Sequence, residues 1–402
     1  MSNRTRLFGL PRISPAPSDE LVSAPVPPDE DMGFPGSPGE DMGFPASPGE
    51  FATTPGRSAD RASSPRSARR DRTFRLTVPG PRRSVPHLRW WLALGIAVVA
   101  GLALFIATTG KPGNRSGLPW ASGVYPVDGT PAGAAAFAAW RGRPLDVVDA
   151  WSARATWAQI DDPTWLYQRW KGEPYTMAFG VPMLPENVQG VSLQACAAGT
   201  YNAYWREFGQ VISSYGLGHS IIRLGWEFNG NWYVWQATNP ATWAQCWQQI
   251  VISARSTAPD LQWDWDVNRG VSAGLANPVL AYPGNAYVSM IGVDNYDSWP
   301  PATTAAGWQT QLNGPQGLNY WLSFAKAHHK LLSVPEWGSV ATGTKAGDDD
   351  PRYVNDMRAF FAANASAIAF ECNFQGTSAT TAGSYGAGTP IPKASAAYKA
   401  AF

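Results

Sequence analysis

Two glutamates carry the most chemical information in this chain. Glu227 follows Arg223-Leu224-Gly225-Trp226 and precedes Phe228-Asn229-Gly230, while Glu336 follows Ser333-Val334-Pro335 and precedes Trp337-Gly338. Each closes an apolar, strand-like run where a glycine-containing loop begins. Cleavage of an acetal needs such a pair at the mouth of a barrel, one carboxyl to protonate the leaving oxygen and one to stabilise or capture the oxocarbenium-like carbon. A separation of about 5–5.5 Å suits a retaining reaction and roughly 6.5–9.5 Å an inverting one. At the shorter spacing, with an effective dielectric near 20, two negative charges repel by about 3 kcal/mol, roughly two pKa units, so the pair prefers to hold one proton.

Other chemistries find little support. The histidines are His87, His219, His328 and His329, with no HExxH pattern, and no serine occupies a G-x-S-x-G elbow. No metal and no cofactor is implied. His219 precedes a strand, and His328 and His329 close a helix, where a positive ring favours the dipole. The run Asp348-Asp349-Asp350 before Pro351 reads as a solvated loop and helix start. Asp128, Asp264, Asp266, Asp294, Asp297 and Glu371 lie near strand ends; Asp294 and Asn268 are the ones expected to touch the substrate, the others to cap loops or support the site.

The elements that must position the glutamates recur regularly. Short β-rich runs occupy 122–127, 146–151, 175–181, 220–226, 261–266, 288–294, 331–335 and 367–371, and helical stretches are clearest at 132–141, 201–215, 240–257, 317–329 and 351–364. Eight strands alternating with helices predict an α/β fold, a (β/α)8 TIM barrel over 121–402, with apolar strands suited to a parallel sheet covered on both faces. Functional residues of such barrels sit at the carboxyl ends of strands, where Glu227 and Glu336 fall, on strands four and seven. Alternation puts Arg223 on the side of Glu227, one layer below it.

The chain holds 20 tryptophans. Trp226, Trp232, Trp235, Trp265, Trp299 and Trp337 border the loops after strands four to seven and offer flat faces to pyranose rings. Trp140, Trp205, Trp247 and Trp321 fall in helical stretches and are expected to pack. Of three cysteines, Cys196 and Cys246 lie in neighbouring helical stretches, where a disulfide is open to them; Cys372, inside AIAFECNF, reads as a buried thiol.

Before the barrel the composition changes. Residues 1–88, rich in Pro, Ser, Gly, Asp and Arg, contain the tandem repeat DMGFPGSPGE–DMGFPASPGE and are expected to be disordered, a tether or a docking segment for an unidentified cytoplasmic partner. Residues 90–109 carry no charge and match the thickness of a bilayer, so a single transmembrane helix is expected over 89–110, followed by a linker at 111–120. Arginines crowd its amino-terminal side, which places residues 1–88 in the cytoplasm and the barrel outside, at the cell membrane. A formal net charge of +1 gives no pull toward nucleic acid.

With these motifs in view, the chain resembles the retaining (β/α)8-barrel glycoside hydrolases whose catalytic glutamates lie on strands 4 and 7, and most of all glycoside hydrolase family 26, the β-mannanase-like group. WEFNGNWYVW (226–235) is similar to its acid/base segment, with Asn229, Gly230 and Trp235 in the expected places; YPGNAYVSMIGVDNYDSW (282–299) is similar to its sixth-strand segment; VPEWG (334–338) is similar to its nucleophile strand. The resemblance implies Glu227 as acid/base, Glu336 as nucleophile and Tyr296 as the residue that orients it. Trp226 stands where the family commonly has histidine, a departure that bears on mannan specificity. The implied function is a membrane-anchored endo-β-glycosidase acting on a β-mannan, a β-glucan or an envelope exopolysaccharide. A wall-polymer transglycosylase with the same glutamates and a non-catalytic carbohydrate-binding barrel are the competing readings, the latter having no need of both acids.

Overall fold

The structure, a computed structural model, describes residues 113–343, 345–376 and 383–402. The expected disordered region 1–88 with its repeats, the expected membrane helix 89–110 and the first residues of the linker lie outside the described residues. Among the described residues no helix is long and apolar enough to cross a membrane.

Eight parallel strands close a barrel in chain order: β1 Ala121–Tyr125, β2 Val147–Trp151, β3 Thr176–Val181, β4 Ile221–Leu224, β5 Gln262–Asn268, β6 Met290–Tyr296, β7 Leu331–Gly338 and β8 Ile368–Phe374, with β8 pairing back onto β1. All eight coincide with strands read from the sequence. β5, β6, β7 and β8 run two to three residues further at their carboxyl ends than expected, carrying Asn268, Tyr296, Trp337 and Phe374 into the sheet. The strands are buried almost end to end, as β-branched and aromatic residues enclosed on both faces require.

The helices begin where capping chemistry allows. Asn239 and Asp350 cap Pro240–Arg255 and Pro351–Ala363, and Thr130 caps Pro131–Arg141; in each the side chain accepts a main-chain N–H and proline follows, whose missing N–H costs nothing there. The Asp350 cap accounts for the acidic run as a helix start. Leu193–Ala197 is the helical stretch expected around Cys196, whereas the short helices Trp157–Asp161 and Thr164–Trp170 and the longer Ala305–Asn313 and Pro392–Ala401 were not expected. Cys196 and Cys246 form a disulfide joining Leu193–Ala197 to Pro240–Arg255, and Cys372 is a buried free thiol.

The stretch 113–120 does more than link. Leu118 and Trp120 are buried, and Trp120 packs on Phe361 and Phe402 beneath the Arg358 guanidinium, so this segment belongs to the domain core. Inside the barrel, Val147, Ala178, Ile221, Met290, Phe370 and Cys372 form an apolar floor. Two residues further along three of these strands come Asp149 and Arg223, which begin a polar layer above the floor, and Gly292, which leaves space beside it.

Candidate active site

Arg223 organises that layer. Fully buried, its guanidinium donates from Nε and Nη2 to Asp266 Oδ2 (3.0 and 2.5 Å), from Nη2 to Asp294 Oδ2 (2.9 Å) and to Glu336 Oε1 (2.8 Å), and from Nη1 to Asp149 Oδ2 (3.4 Å). The ring of Trp151 lies 5.3 Å from the guanidinium carbon. Trp151 in turn lies against Gly180, where a Cβ would meet the indole at 2.3 Å, so only glycine leaves room for it. One cation thus faces four carboxyl groups, an arrangement the planar five-donor guanidinium can serve and an ammonium cannot.

Glu336 is held at three points. Oε1 accepts from Arg223, Oε2 accepts from Tyr296 Oη at 2.6 Å, and its main-chain N–H donates to Asp294 Oδ1 at 3.1 Å. Both side-chain oxygens therefore receive a donor, which fixes the orientation of the carboxyl group. Burial, together with the charges of Glu336 and Asp294, holds the Tyr296 phenol well above its ordinary pKa, so it remains a donor.

Glu227 is held differently. Strand β4 ends at Leu224, and the chain then turns through two left-handed residues, Gly225 (φ 54°) and Glu227 (φ 51°). The second is unusual for a residue with a side chain, and such strain persists where surrounding contacts impose it. Those contacts are the Glu227 N–H donating to the Asp266 carbonyl (3.1 Å) and the Gly230 N–H donating to the Glu227 carbonyl (2.9 Å). The Glu227 carboxyl accepts from Trp232 Nε1 at 3.2 Å. Burial, then the charges of Glu336 and Asp266, push its pKa well above the usual carboxylate range, against smaller opposing effects of Arg223 and the Trp232 bond. The two glutamates thus sense each other's charge. Glu336 is fixed in orientation by its donors, and Glu227 sits in an environment that favours a proton.

The remaining expected site residues divide sharply. Trp232 is half-buried on Glu227, and Trp299 at the end of the β6 loop is 42% exposed with Lys345 Nζ 5.5 Å from its ring, so both keep surface for a ligand. Trp226, Trp235, Trp265 and Trp337 do not. Trp226 donates to Tyr233 Oη and Trp235 to the Trp226 carbonyl, Trp265 packs among Phe228, Trp321 and Phe324, and Trp337 donates to Glu371 while packing on Tyr353 and Phe402. Their position corrects the expectation of a sugar platform: Trp265 and Trp337 lie on strands whose adjacent acids face inward and so must face the helices, while Trp226 and Trp235, beyond β4, are buried against each other and Tyr233. Trp205, Trp247 and Trp321 are buried, and Trp140 packs against the core, as expected.

Asp294 is fully buried beneath Glu336 rather than turned to a substrate, because Arg223 and the Glu336 N–H occupy its oxygens. Asn229 ties the β4 loop to the end of β5, donating to the Asn268 carbonyl and Ser272 Oγ and accepting from the Asn268 N–H. Asn268 stays partly accessible beside it. Asp149 was missed, although an acid inside the otherwise apolar VVDAW is a legible signal. Among the described residues no group of acids, histidines and cysteines is arranged to hold a metal.

A family model described as Glycosyl hydrolase family 26 matches residues 220–325, from the start of β4 into the helix Leu318–Ala327, taking in Arg223, Glu227, Asp266, Asp294 and Tyr296 and ending before Glu336. No curated protein matches the sequence. Among solved structures, the catalytic domain of the Bacillus sp. JAMB-750 GH26 endo-β-1,4-mannanase is similar at 15% identity and TM-score 0.51, over 71% of this chain and 87% of that one. A modular endo-β-1,4-mannanase from Cellulomonas fimi gives 16% and 0.49, over 64% of each chain, and a GH26 β-mannanase from Bacteroides ovatus 11% and 0.48, over 69% and 88%. The chain therefore spans 64% of the length of the Cellulomonas protein. The Bacillus likeness shows a shared fold. The chain thus folds as a closed (β/α)8 barrel with one glutamate just beyond strand four and one at the carboxyl end of strand seven, and its residues 220–325 are similar to glycoside hydrolase family 26.

Proposed function

We propose that the protein is a retaining endo-β-glycosidase acting on a β-mannan-like polysaccharide outside the cell, tethered through the apolar run 90–109. The observation that carries the reading is the unequal treatment of the two acids: Glu336 accepts from Arg223 and Tyr296 and is fixed in orientation, and Glu227 is buried so as to keep a proton. In the first step Glu336 attacks the anomeric carbon, the bond to the leaving sugar oxygen breaks, and the Glu227 proton passes to that oxygen. In the second, Glu227, now a carboxylate, takes a proton from water, the resulting hydroxide oxygen bonds to the anomeric carbon, and the Glu336 ester is released as a carboxylate.

The mannan preference rests on the family match and on what the similar solved proteins are named for. The test is a panel of β-mannan, glucomannan and β-glucan, assayed for new reducing ends with Glu336→Ala as control. Oligosaccharides released from mannans by the native protein alone support the proposal. No reducing ends from any β-glycan would defeat it, and longer products from short donors would point to transglycosylation instead.

A further inference from the structure

One residue touches both halves of this site. Asp266, fully buried on β5, accepts two bonds from Arg223 at Oδ2, and the same Arg223 nitrogen continues to Glu336 Oε1. Its main-chain carbonyl accepts the N–H of Glu227, the residue in the left-handed turn. We propose that Asp266 is a positioning residue that couples the two reaction carboxyl groups, aiming the Arg223 guanidinium at Glu336 while its main chain anchors the Glu227 turn.

Asp294 does not duplicate this role: it meets Arg223 and the Glu336 N–H, while the Glu227 N–H goes to Asp266. Asp266 Oδ1 has no hydrogen-bond partner and, with the likewise unpartnered Asp264 Oδ1, lies 2.7 Å from where a Cβ of Gly292 would stand. The glycine thus leaves the space into which both oxygens project. Asp264 is engaged elsewhere, accepting from Ser333 Oγ at Oδ2. The charged and titratable groups that act on Asp266 are Arg223, Asp149, Asp264, Asp294, Glu227 and Glu336. Burial raises its pKa to about 6 against the pull of Arg223, so above that pH its charge adds to the forces that keep the proton on Glu227.

The inference rests on the glycosidase reading above, and its test is built to fail separately. Asp266→Asn keeps the shape and removes the charge. The expected result is a fall in kcat of about 10- to 100-fold with little change in KM, because orientation of Glu336 is what is lost. The alkaline limb of the pH profile should move down by roughly one pH unit, because a negative charge near Glu227 is gone. In parallel, 13C-carboxyl NMR of glutamate-labelled protein, with the Glu227 signal assigned by Glu227→Gln, should show the same downward shift with no substrate present. A lower kcat with both titrations unmoved would make Asp266 a scaffold residue and overturn the proposal. Asp266→Ser is the second variant, and loss of the folded state in both would overturn it equally. If the native protein cleaves no glycan but the NMR shift occurs, the coupling stands and the glycosidase reading falls.

Discussion

Arg223 Nη2 lies 2.8 Å from Glu336 Oε1 and is shared with Asp266 and Asp294, so the candidate nucleophile is held by a cation already divided among buried acids. A lysine would place one compact charge there and could not bridge them. Arg223→Lys is expected to lower kcat/KM by at least about 100-fold, in line with losing a preorganised charge contact. It should also destabilise the fold, because a single ammonium cannot reach all the buried acids that the guanidinium bonds and leaves some without a donor. Steady-state kinetics and urea unfolding measure both, and a variant with native values would remove Arg223 from the account.

Tyr296 contributes a single short bond to Glu336 Oε2. Tyr296→Phe keeps the ring and deletes the donor, so kcat should fall about 10- to 100-fold while the thermal midpoint changes little. An unchanged kcat would show that Arg223 alone orients the carboxylate.

The indole of Trp232 donates to Glu227 Oε2 and opposes the upward shift of its pKa. Activity that needs the Glu227 proton is lost as pH rises through that raised pKa. Removing the donor withdraws a stabiliser of the charged form, so Trp232→Phe should move the alkaline limb of kcat/KM to higher pH. A limb that moves to lower pH would contradict the assignment of Glu227 as the acid.

Burial raises Asp266 to about 6 and Asp297 and Glu371 to about 7, and lifts Asp149, Asp264 and Asp294 well above ordinary carboxylates. A folded-state pKa above the unfolded value means that the folded protein binds the proton more tightly. The associated stability is fully present below about pH 4, the unfolded value, and is lost as pH rises through 6 to 7. Calorimetric midpoints should therefore decline from pH 5 to pH 8, and a rising midpoint over that window would contradict the protonated cluster.

The Cys196–Cys246 bridge spans a sequence separation of 50. Loop-closure entropy for that span corresponds to about 4 kcal/mol of stability. Cys196→Ser with Cys246→Ser should lower the urea midpoint accordingly while leaving kcat unchanged. An unaltered midpoint would show that the bridge constrains nothing in the unfolded chain.

The barrel was legible because each strand is an apolar β-rich run bounded by turns, and the longer helices announce themselves through Thr130, Asn239 and Asp350 with proline behind each. The short helices near 157–170 carry too few turns to show a period, and Ala305–Asn313 buries only Trp308 and Gln311, which leaves almost no apolar stripe. At the site, both glutamates and Arg223 were readable from strand ends and alternation, while Tyr296 came only from the family resemblance of its segment. The same alternation, applied consistently, also shows why Trp265 and Trp337 face outward, since their neighbours Asp264, Asp266 and Glu336 face in. What the linear pattern does not carry is the convergence of Asp149, Asp266 and Asp294 on one guanidinium, because barrel closure sets which strands meet there.

The most direct measurement is covalent trapping with a 2-deoxy-2-fluoro β-mannosyl fluoride followed by peptide mass spectrometry. Glu336 should carry the sugar, and Glu227→Ala should still be labelled, because a fluoride leaving group needs no proton. A label on another residue, or no label on a protein that demonstrably cleaves mannan, would contradict the division of labour between these two glutamates.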